Sequence, residues 1–560
     1  MIFRFSSVGH GDSHNLLGRL LHRIPTLVLA AAAAAWSIDA GKEGVGAEIR
    51  SLPNIVIILA DDMGFSDLGC YGSEILTPNL DRLAKGGLRF TQFYNCARCC
   101  PTRAALLTGL YPHQAGVGHM MNDMGRPGYR GNLNKECATI PEVLHTAGYQ
   151  TMMCGKWHLT RFVGPEGPKH NWPLHRGFDK FYGTLHGAGS YFDPPTLLRD
   201  DRPMLLPERG EFYYTDAISD AAVQYVEQGA RSGKPFFLYV AYTAPHWPLH
   251  APSSLASRYR TKYALGWDEI RKERYQRQVA LGIIKRQWPL TPRDERVRAW
   301  EQNPYKPWQQ RRMEIYAAQV DALDQGVGRV LDKIRQVGAE RNTLVMFLSD
   351  NGGCAEEVGS NWKGIHIPTK SRSGRPVQVG NNPDTMPGGD DTFQSYGMAW
   401  ANVSNTPFRL YKHWVHEGGI ATPLIVSWPA VIQEGGRMIH EPGHVIDIMA
   451  TCLAATRVPY PEQLSGRDIT PTPGKSLIPL LQGETRQYGP IFWEHEGNRA
   501  MRDGKWKLVS KYPGKWELFD LDADRTEMNN LAPRYPAIVK TMARAYDAWA
   551  SQCNVEPWGE

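Results

Sequence analysis

Three stretches of this 560-residue chain hold side chains whose type and spacing suit catalysis. Asp61-Asp62 follows directly on one apolar run, and Asp350-Asn351-Gly352 follows another. Together Asp61, Asp62, Asp350 and Asn351 offer four hard oxygen ligands, suited to Ca²⁺ or Mg²⁺ and unsuited to a thiolate-selecting metal. Either pair alone reads more simply as a cap or a turn; their expected place on neighbouring strands is what points to a shared cation. The third stretch is Cys99-Cys100-Pro101-Thr102-Arg103-Ala-Ala-Leu-Leu-Thr108-Gly109. Pro101 suits the first turn of a helix and Gly109 its stop. Cys99 then lies at a helix N-terminus, where amides and the dipole favour an anion. Cys96-x-x-Cys99 also reads as half a zinc site, but the sequence holds no matching second pair.

These residues need a frame to hold them. Residues 54–60 form a continuous apolar run, as in a strand buried on both faces of a parallel sheet. Thr77-Pro78 predicts a helix with threonine as N-cap, ending at Gly86-Gly87. Residues 88–94 return as a strand, Thr139-Ile-Pro-Glu142 is a capping box opening a helix, and 149–153 follows as a strand. Further buried strands are expected at 235–241 and 343–348, with a long amphipathic helix over 313–337 between them. Alternating strands and helices indicate an α/β fold with a large doubly wound, mostly parallel sheet flanked by helices, where ligands bind at the carboxyl ends of the strands. Past about residue 470 the pattern changes to short strands at 491–494, 506–510 and 516–520, then a helix at 536–550. This predicts a smaller C-terminal α+β domain on an antiparallel sheet. The expected division is a signal peptide at 1–40, a catalytic domain at 52–465 and a C-terminal domain at 466–560.

Composition is ordinary for a globular protein, with 42% hydrophobic and 21% charged residues. The net charge of +6 is spread over 63 basic and 57 acidic residues. It implies no nucleic-acid partner and suits anionic substrates equally well. Arg19, His22 and Arg23 precede the apolar run 24–36, which reads as an export signal and places the mature protein in the periplasm or outside the cell. The run is too short for comfortable membrane spanning, and no stable membrane insertion is expected. Two segments break the strand–helix rhythm. Residues 250–312 are rich in Arg and Trp, including Arg271, Arg274, Trp267 and Trp288, and read either as a grip for substrate or as packing and a solvated face. Residues 353–407 are dense in Gly, Pro and Asn, a length of loop usually kept for function or left disordered.

The string from Cys99 to Gly109 resembles the signature of the sulfatases, Cys-x-Pro-x-Arg with a Leu-Thr-Gly ending; Thr102 stands where serine is commoner. The resemblance continues through Gly155-Lys156-Trp157-His158, Ala244-Pro245-His246, Lys412 five residues before Glu417-Gly418-Gly419, and 518–531 near the end. The region around Trp400–Arg409 is most similar to bacterial arylsulfatases. The resemblance covers about residues 52–560 and implies an alkaline phosphatase-like fold hydrolysing aryl or carbohydrate sulfate monoesters. It implies that a formylglycine-generating maturation enzyme converts Cys99 to formylglycine (3-oxoalanine). It also implies a Ca²⁺ ion, with Mg²⁺ possible, held by Asp61, Asp62, Asp350, Asn351 and residue 99.

In this scheme the hydrated aldehyde attacks sulfur, Lys156, Lys412 and His246 bind sulfate oxygens, and His246 or Lys412 protonates the leaving group. His158 takes the proton that releases sulfate from residue 99, and Arg103 orients the hydrate. Two other readings stay open: a phosphonate monoester or phosphodiester hydrolase of the same superfamily, and a non-catalytic polyanion-binding protein.

Overall fold

The computed structural model describes residues 51–207 and 211–559, so the expected signal segment at 1–40 lies outside the described residues. Strands β1 (Asn54–Ala60), β2 (Leu88–Tyr94), β3 (Gln150–Lys156), β4 (Lys180–Thr184), β5 (Leu197–Arg199), β6 (Arg202–Pro203), β7 (Phe236–Ala241) and β8 (Thr343–Ser349) come first along the chain. A ribbon of β9 (Gln378–Val379) and β10 (Thr392–Phe393) lies within the second insert, before β11 (Ala421–Ser427), β12 (Met438–Ile439) and β13 (Gly443–His444). The main sheet runs β12-β2-β11-β8-β1-β7-β3-β4-β5-β6, with β13 also on β2. Its centre is parallel: β1 pairs with β7 and β8, and β3 with β7 and β4. Strand β11 runs antiparallel to both β8 and β2. This is the mixed, mostly parallel sheet that the alternating pattern predicts.

Strand β1 shows why that sheet forms. Val56, Ile58 and Ala60 enter one core and Ile55, Ile57 and Leu59 the other, all fully buried. Each valine, isoleucine or leucine among them contributes about 1.5–3 kcal/mol by burial, so Ile57→Asp would forfeit that gain and bury an unpaired charge. Helices α1 (Pro78–Gly86), α2 (Cys99–Thr108), α3 (Ile140–Thr146), α4 (Tyr214–Ser232), α5 (Ser253–Ser257), α6 (Gly266–Ala280) and α7 (Lys306–Gln336) follow in chain order. Apolar residues of α4 and α7 join the first core, and those of α2 and α3 the second.

Local signals are realised with two revisions. The capping box at α3 forms in both directions, Glu142 N–H to Thr139 Oγ1 at 3.3 Å and Thr139 N–H to Glu142 Oε2 at 2.8 Å. Thr77 holds the N-cap position of α1, but its hydroxyl accepts from Gly69 N–H instead. The amides of Asn79 and Leu80 turn to Asp324 of α7, at 3.1 and 2.8 Å, so a tertiary carboxylate replaces the local cap. Helix α7 starts seven residues before the periodic segment, at Lys306 with Pro307 in its first turn.

The first insert packs as core. Trp267, Trp288, Trp300 and Trp308 are buried, and Trp267 and Trp300 meet edge to face at 4.8 Å. Arg274 is spoken for by Asp67 and Glu74, and Arg271 by the Asn402 carbonyl. These two arginines are therefore neither a substrate grip nor a solvated face. After a short hairpin, β14 (Gln463–Leu464) and β15 (Arg467–Asp468), strands β16 (Ile491–His495), β17 (Asn498–Asp503), β18 (Trp506–Ser510) and β19 (Glu517–Asp520) form a separate antiparallel sheet. Strand β17, Asn-Arg-Ala-Met-Arg-Asp, is the one whose polar run hides it in the sequence. A closing helix, Pro536–Gln552, lies against β17 and β18. No described helix is long and apolar enough to cross a membrane.

Candidate active site

The carboxyl ends of β1, β3, β7 and β8 converge on the N-terminus of α2. Helix α2 runs Cys99–Thr108 and stops at Gly109, in the left-handed conformation the spacing predicts (φ 71°). Thr102 accepts a hydrogen bond from Cys96 N–H at 2.9 Å, fixing the entry to the helix. Cys99 is buried and faces Cys100 and His158, with all three ligating atoms within 4.8 Å of one another. Cys96 is not in that group; its Sγ lies 3.7 Å from His444 Nε2, which sets aside the half zinc site. None of the nine cysteines forms a disulfide. The Cys99 thiol is held well below its ordinary value by a hydrogen bond from Cys100, against burial, with Lys156 and His158 assisting.

Asp61 and Asp62 extend from the end of β1, and Asp350 and Asn351 from the end of β8. All four are essentially inaccessible to solvent. Lys156, the last residue of β3, reaches Asp61 Oδ2 at 2.6 Å. Arg103, on α2, donates to Asp350 Oδ2 through Nε at 3.1 Å and a terminal nitrogen at 2.8 Å, and to the Lys156 carbonyl at 2.9 Å. These bonds brace Asp350. Lys412 lies 2.9 Å from Asp62, and Asn351 Nδ2 donates to Asp62 Oδ1 at 2.7 Å.

Two buried oxygens of this cluster, Asp61 Oδ1 and Asn351 Oδ1, have no hydrogen-bond partner. Such orphans cost free energy unless something outside the chain satisfies them. Burial, and then Asp350, pushes the Asp61 carboxyl well above its ordinary range; burial likewise raises Asp350, against Arg103 and Lys156. Crowded carboxylates with unfilled acceptor sites are the donor set of a hard divalent cation, and these residues fit one.

His158 and Asp62 sit on local backbone that costs free energy. His158 (φ 55°) and Asp62 (φ 65°) both take left-handed backbone, at about 1–3 kcal/mol each. Gly155 also has positive φ, and a Cβ there would stand 1.9 Å from the Ala241 carbonyl oxygen, so only glycine lets β3 deliver Lys156 and His158 beside β7. Gly187 gives His158 its room: a Cβ there would come within 2.1 Å of the ring. Burial lowers His158 to about 3, leaving a neutral imidazole. His246 Nδ1 donates to the Trp247 carbonyl at 2.7 Å, so its Nε2 carries the lone pair and faces Lys412 Nζ at 3.3 Å. Lys412 is raised well above its ordinary value: burial opposes this, but Asp62, Cys354 and Glu356 outweigh it.

Above these groups opens a cavity of about 530 Å³ lined by Cys99, His158, His246 and Lys412. Two larger clefts, of about 910 and 1510 Å³, contain none of the predicted site residues. The cavity also holds residues that sequence reasoning missed. Trp247, Trp362, Ile365, Met120 and Met121 give it an apolar wall. His186 stacks on His366 with centroids 4.9 Å apart. Glu356 pairs with Arg98 at 3.0 Å and accepts from Trp247 Nε1 at 2.9 Å; burial would raise it, but Lys412 and Arg98 bring it down to about 2. Two of these had a signal: Trp247 adjoins His246, and Glu356 follows five residues after Asn351. Trp362, Ile365 and His366 come from the second insert, where spacing offers none.

Residues 53–458 match the family model described as Sulfatase, and 408–551 that of N-sulphoglucosamine sulphohydrolase, C-terminal. The chain is 34% identical to an uncharacterized sulfatase of Schizosaccharomyces pombe, over 90% of this chain and 94% of that one. It is 33% identical to an arylsulfatase of Klebsiella aerogenes, over 82% of this chain and 97% of that one. Among solved structures, Ps i-CgsB in complex with k-i-k-neocarrahexaose superposes with a TM-score of 0.64 at 24% identity, over 91% of this chain and 95% of that one. The chain thus belongs to the sulfatase family and is a sulfuric ester hydrolase.

Proposed function

We propose that the chain hydrolyses aryl or similarly flat, apolar sulfate monoesters at the cavity over residue 99, after conversion of Cys99 to formylglycine. The observation that carries this reading is the pairing of orphaned oxygens on Asp61 and Asn351 with three buried cations, Arg103, Lys156 and Lys412, around one helix N-terminus. When bound, a divalent cation, Ca²⁺ by resemblance, supplies Lewis-acid stabilisation of a developing oxyanion. Asp61, Asp62, Asp350 and Asn351 would hold it. Hydrated formylglycine supplies the nucleophilic oxygen and a way to expel sulfate without a second attack at sulfur.

The chain's own residues do the rest. Lys156 and Lys412 present ammonium groups to the sulfate oxygens in a water-poor site, where each is worth more than in bulk. His246 Nε2 bears a lone pair in the resting network, so the leaving oxygen takes its proton from Lys412, with His246 orienting that ammonium. Neutral His158 accepts the proton whose departure from residue 99 frees sulfate. Arg103 is a positioning residue that fixes Asp350. The apolar wall of Trp247, Trp362 and Ile365 suits a flat leaving group better than a heavily hydroxylated one. All these side chains lie in segment 52–465, which we assign as the catalytic domain, with 466–560 as its C-terminal companion. Export to the periplasm or beyond, guided by 1–40, and dependence on a formylglycine-generating enzyme belong to the same proposal.

Turnover of matched aryl sulfate and aryl phosphonate monoesters by the matured enzyme tests it. A kcat/KM higher for the sulfate supports the reading. Preference for the phosphonate would move the chain to the sister activity, and tight binding without turnover to a polyanion-binding role.

A further inference from the structure

Outside the catalytic pocket, three histidines and a glutamate from distant parts of the chain meet at the tip of the β16–β17 hairpin. His119 follows α2, His413 adjoins Lys412, and His495 and Glu496 stand at the hairpin turn. The ligating atoms of His119, His495 and Glu496 all lie within 4.8 Å of one another. Glu496 Oε1 is 3.2 Å from His119 Nδ1 and 3.7 Å from His495 Nε2, while its Oε2 is 2.7 Å from His413 Nδ1. Zinc–nitrogen bonds of about 2.0–2.1 Å in a tetrahedron set ligand-to-ligand edges of about 3.3 Å, close to both Oε1 distances.

The polar bookkeeping of the cluster points the same way. His495 is fully buried, yet neither ring nitrogen has a hydrogen-bond partner. His119 Nδ1 is also without one, although Glu496 Oε1 is near: the pair has the distance of a contact but not the alignment of a hydrogen bond. A buried imidazole with both nitrogens idle is costly, and a cation between these atoms removes that cost. Burial would raise the Glu496 carboxyl, but the surrounding histidines hold it well below its ordinary range. Arg98, the fixed cation that bears on His495, is paired with Glu356 at 3.0 Å. Side chains of His119, Glu496 and His413 keep 15%, 21% and 28% exposure, which gives a metal its way in.

We propose that His119 Nδ1, His495 Nε2 and Glu496 Oε1 form a second cation site, selective for Zn²⁺, with His413 steadying the other Glu496 oxygen. Imidazole-rich ligation separates it from the all-oxygen cluster at Asp61, which favours Ca²⁺ or Mg²⁺. The site pins the C-terminal hairpin to the loop that carries Lys412.

Full-length chain, stripped with a chelator, re-equilibrated with Zn²⁺ in excess Ca²⁺ and dialysed, is assayed for bound zinc by elemental mass spectrometry. One zinc is expected per chain, and His495→Ala and Glu496→Asn are each expected to lose it. Glu496→Asn guards against misfolding, because asparagine is at ease in the left-handed conformation Glu496 adopts (φ 49°). Cys100→Ser excludes the Cys99–Cys100–His158 group as the zinc ligand and should keep the full equivalent. Absence of zinc from the unmodified chain, retention by Glu496→Asn, or loss on Cys100→Ser would each overturn the proposal.

Discussion

Two clusters of buried charge stand near the amino-terminal end of β11, and they serve opposite purposes. At the junction with the C-terminal sheet, Glu417 pairs with Lys507 at 2.9 Å and Arg525 at 2.9 Å, and Lys507 also meets Glu527 at 2.8 Å. The second Glu527 oxygen accepts from the Glu417 amide at 2.9 Å. Both Glu417 oxygens accept hydrogen bonds, and Glu527 Oε1, which accepts none, lies against the Lys507 ammonium. Burial alone would raise Glu417, but Lys507 and Arg525 bring it down to about 2. In the catalytic cluster, Asp61 goes the other way, pushed up by burial and by Asp350, with one oxygen unmatched. The difference separates a cluster completed by the chain itself from one that needs a ligand to complete it. Buried charge by itself marks neither.

The comparison breaks most sharply at residue 99. Cys99→Ser, shown by mass to carry serine, should lower kcat/KM by at least about 10³-fold while leaving thermal unfolding nearly unchanged; near-normal turnover would end the assigned role. Next comes the proton donor. Lys412→Ala should cost about 10²–10⁴-fold in kcat for an ester with a poor leaving group. The loss should shrink for one whose leaving oxygen needs no proton, and an equal loss on both would contradict the assignment.

Glu417→Gln should do the reverse of these. It is expected to destabilise the fold by about 3–5 kcal/mol, as for other broken buried pairs, with KM for the retained enzyme unchanged. Since Glu417 is depressed from 4.5 to about 2, its stabilisation is complete above that ordinary value and is lost as pH falls between the two. Acid unfolding of the wild type should steepen in that window, and Glu417→Gln should flatten it. The smallest effect is at the cavity wall: Trp362→Ala should raise KM for an aryl sulfate about threefold to tenfold, and no change would remove that wall from substrate selection.

Much of this was legible in the residues. Runs buried on both faces, such as β1 and β8, announce themselves because no polar residue interrupts them. The helix at Cys99 shows through its proline and glycine, and the buried cluster of Asp61, Asp62, Asp350 and Asn351 through its place after apolar runs. What stayed hidden depends on tertiary partners. Strand β17 looks like a loop because Arg502 is buried against Tyr94, whose hydroxyl it meets at 2.6 Å. Asp324 caps a helix more than two hundred residues away in sequence. Arg103 was expected to orient the hydrate at residue 99; that two of its nitrogens also meet on Asp350 Oδ2 depends on a strand 247 residues away. Trp362 and His366 reach the pocket from an insert with no periodicity to read.

The measurement that bears most directly on the account is the mass of tryptic peptide 99–103 from enzyme purified in active form. The account predicts a peptide about 18 Da lighter than the cysteine form, in proportion to specific activity across preparations. A fully active preparation whose peptide carries only the unmodified thiol would contradict it.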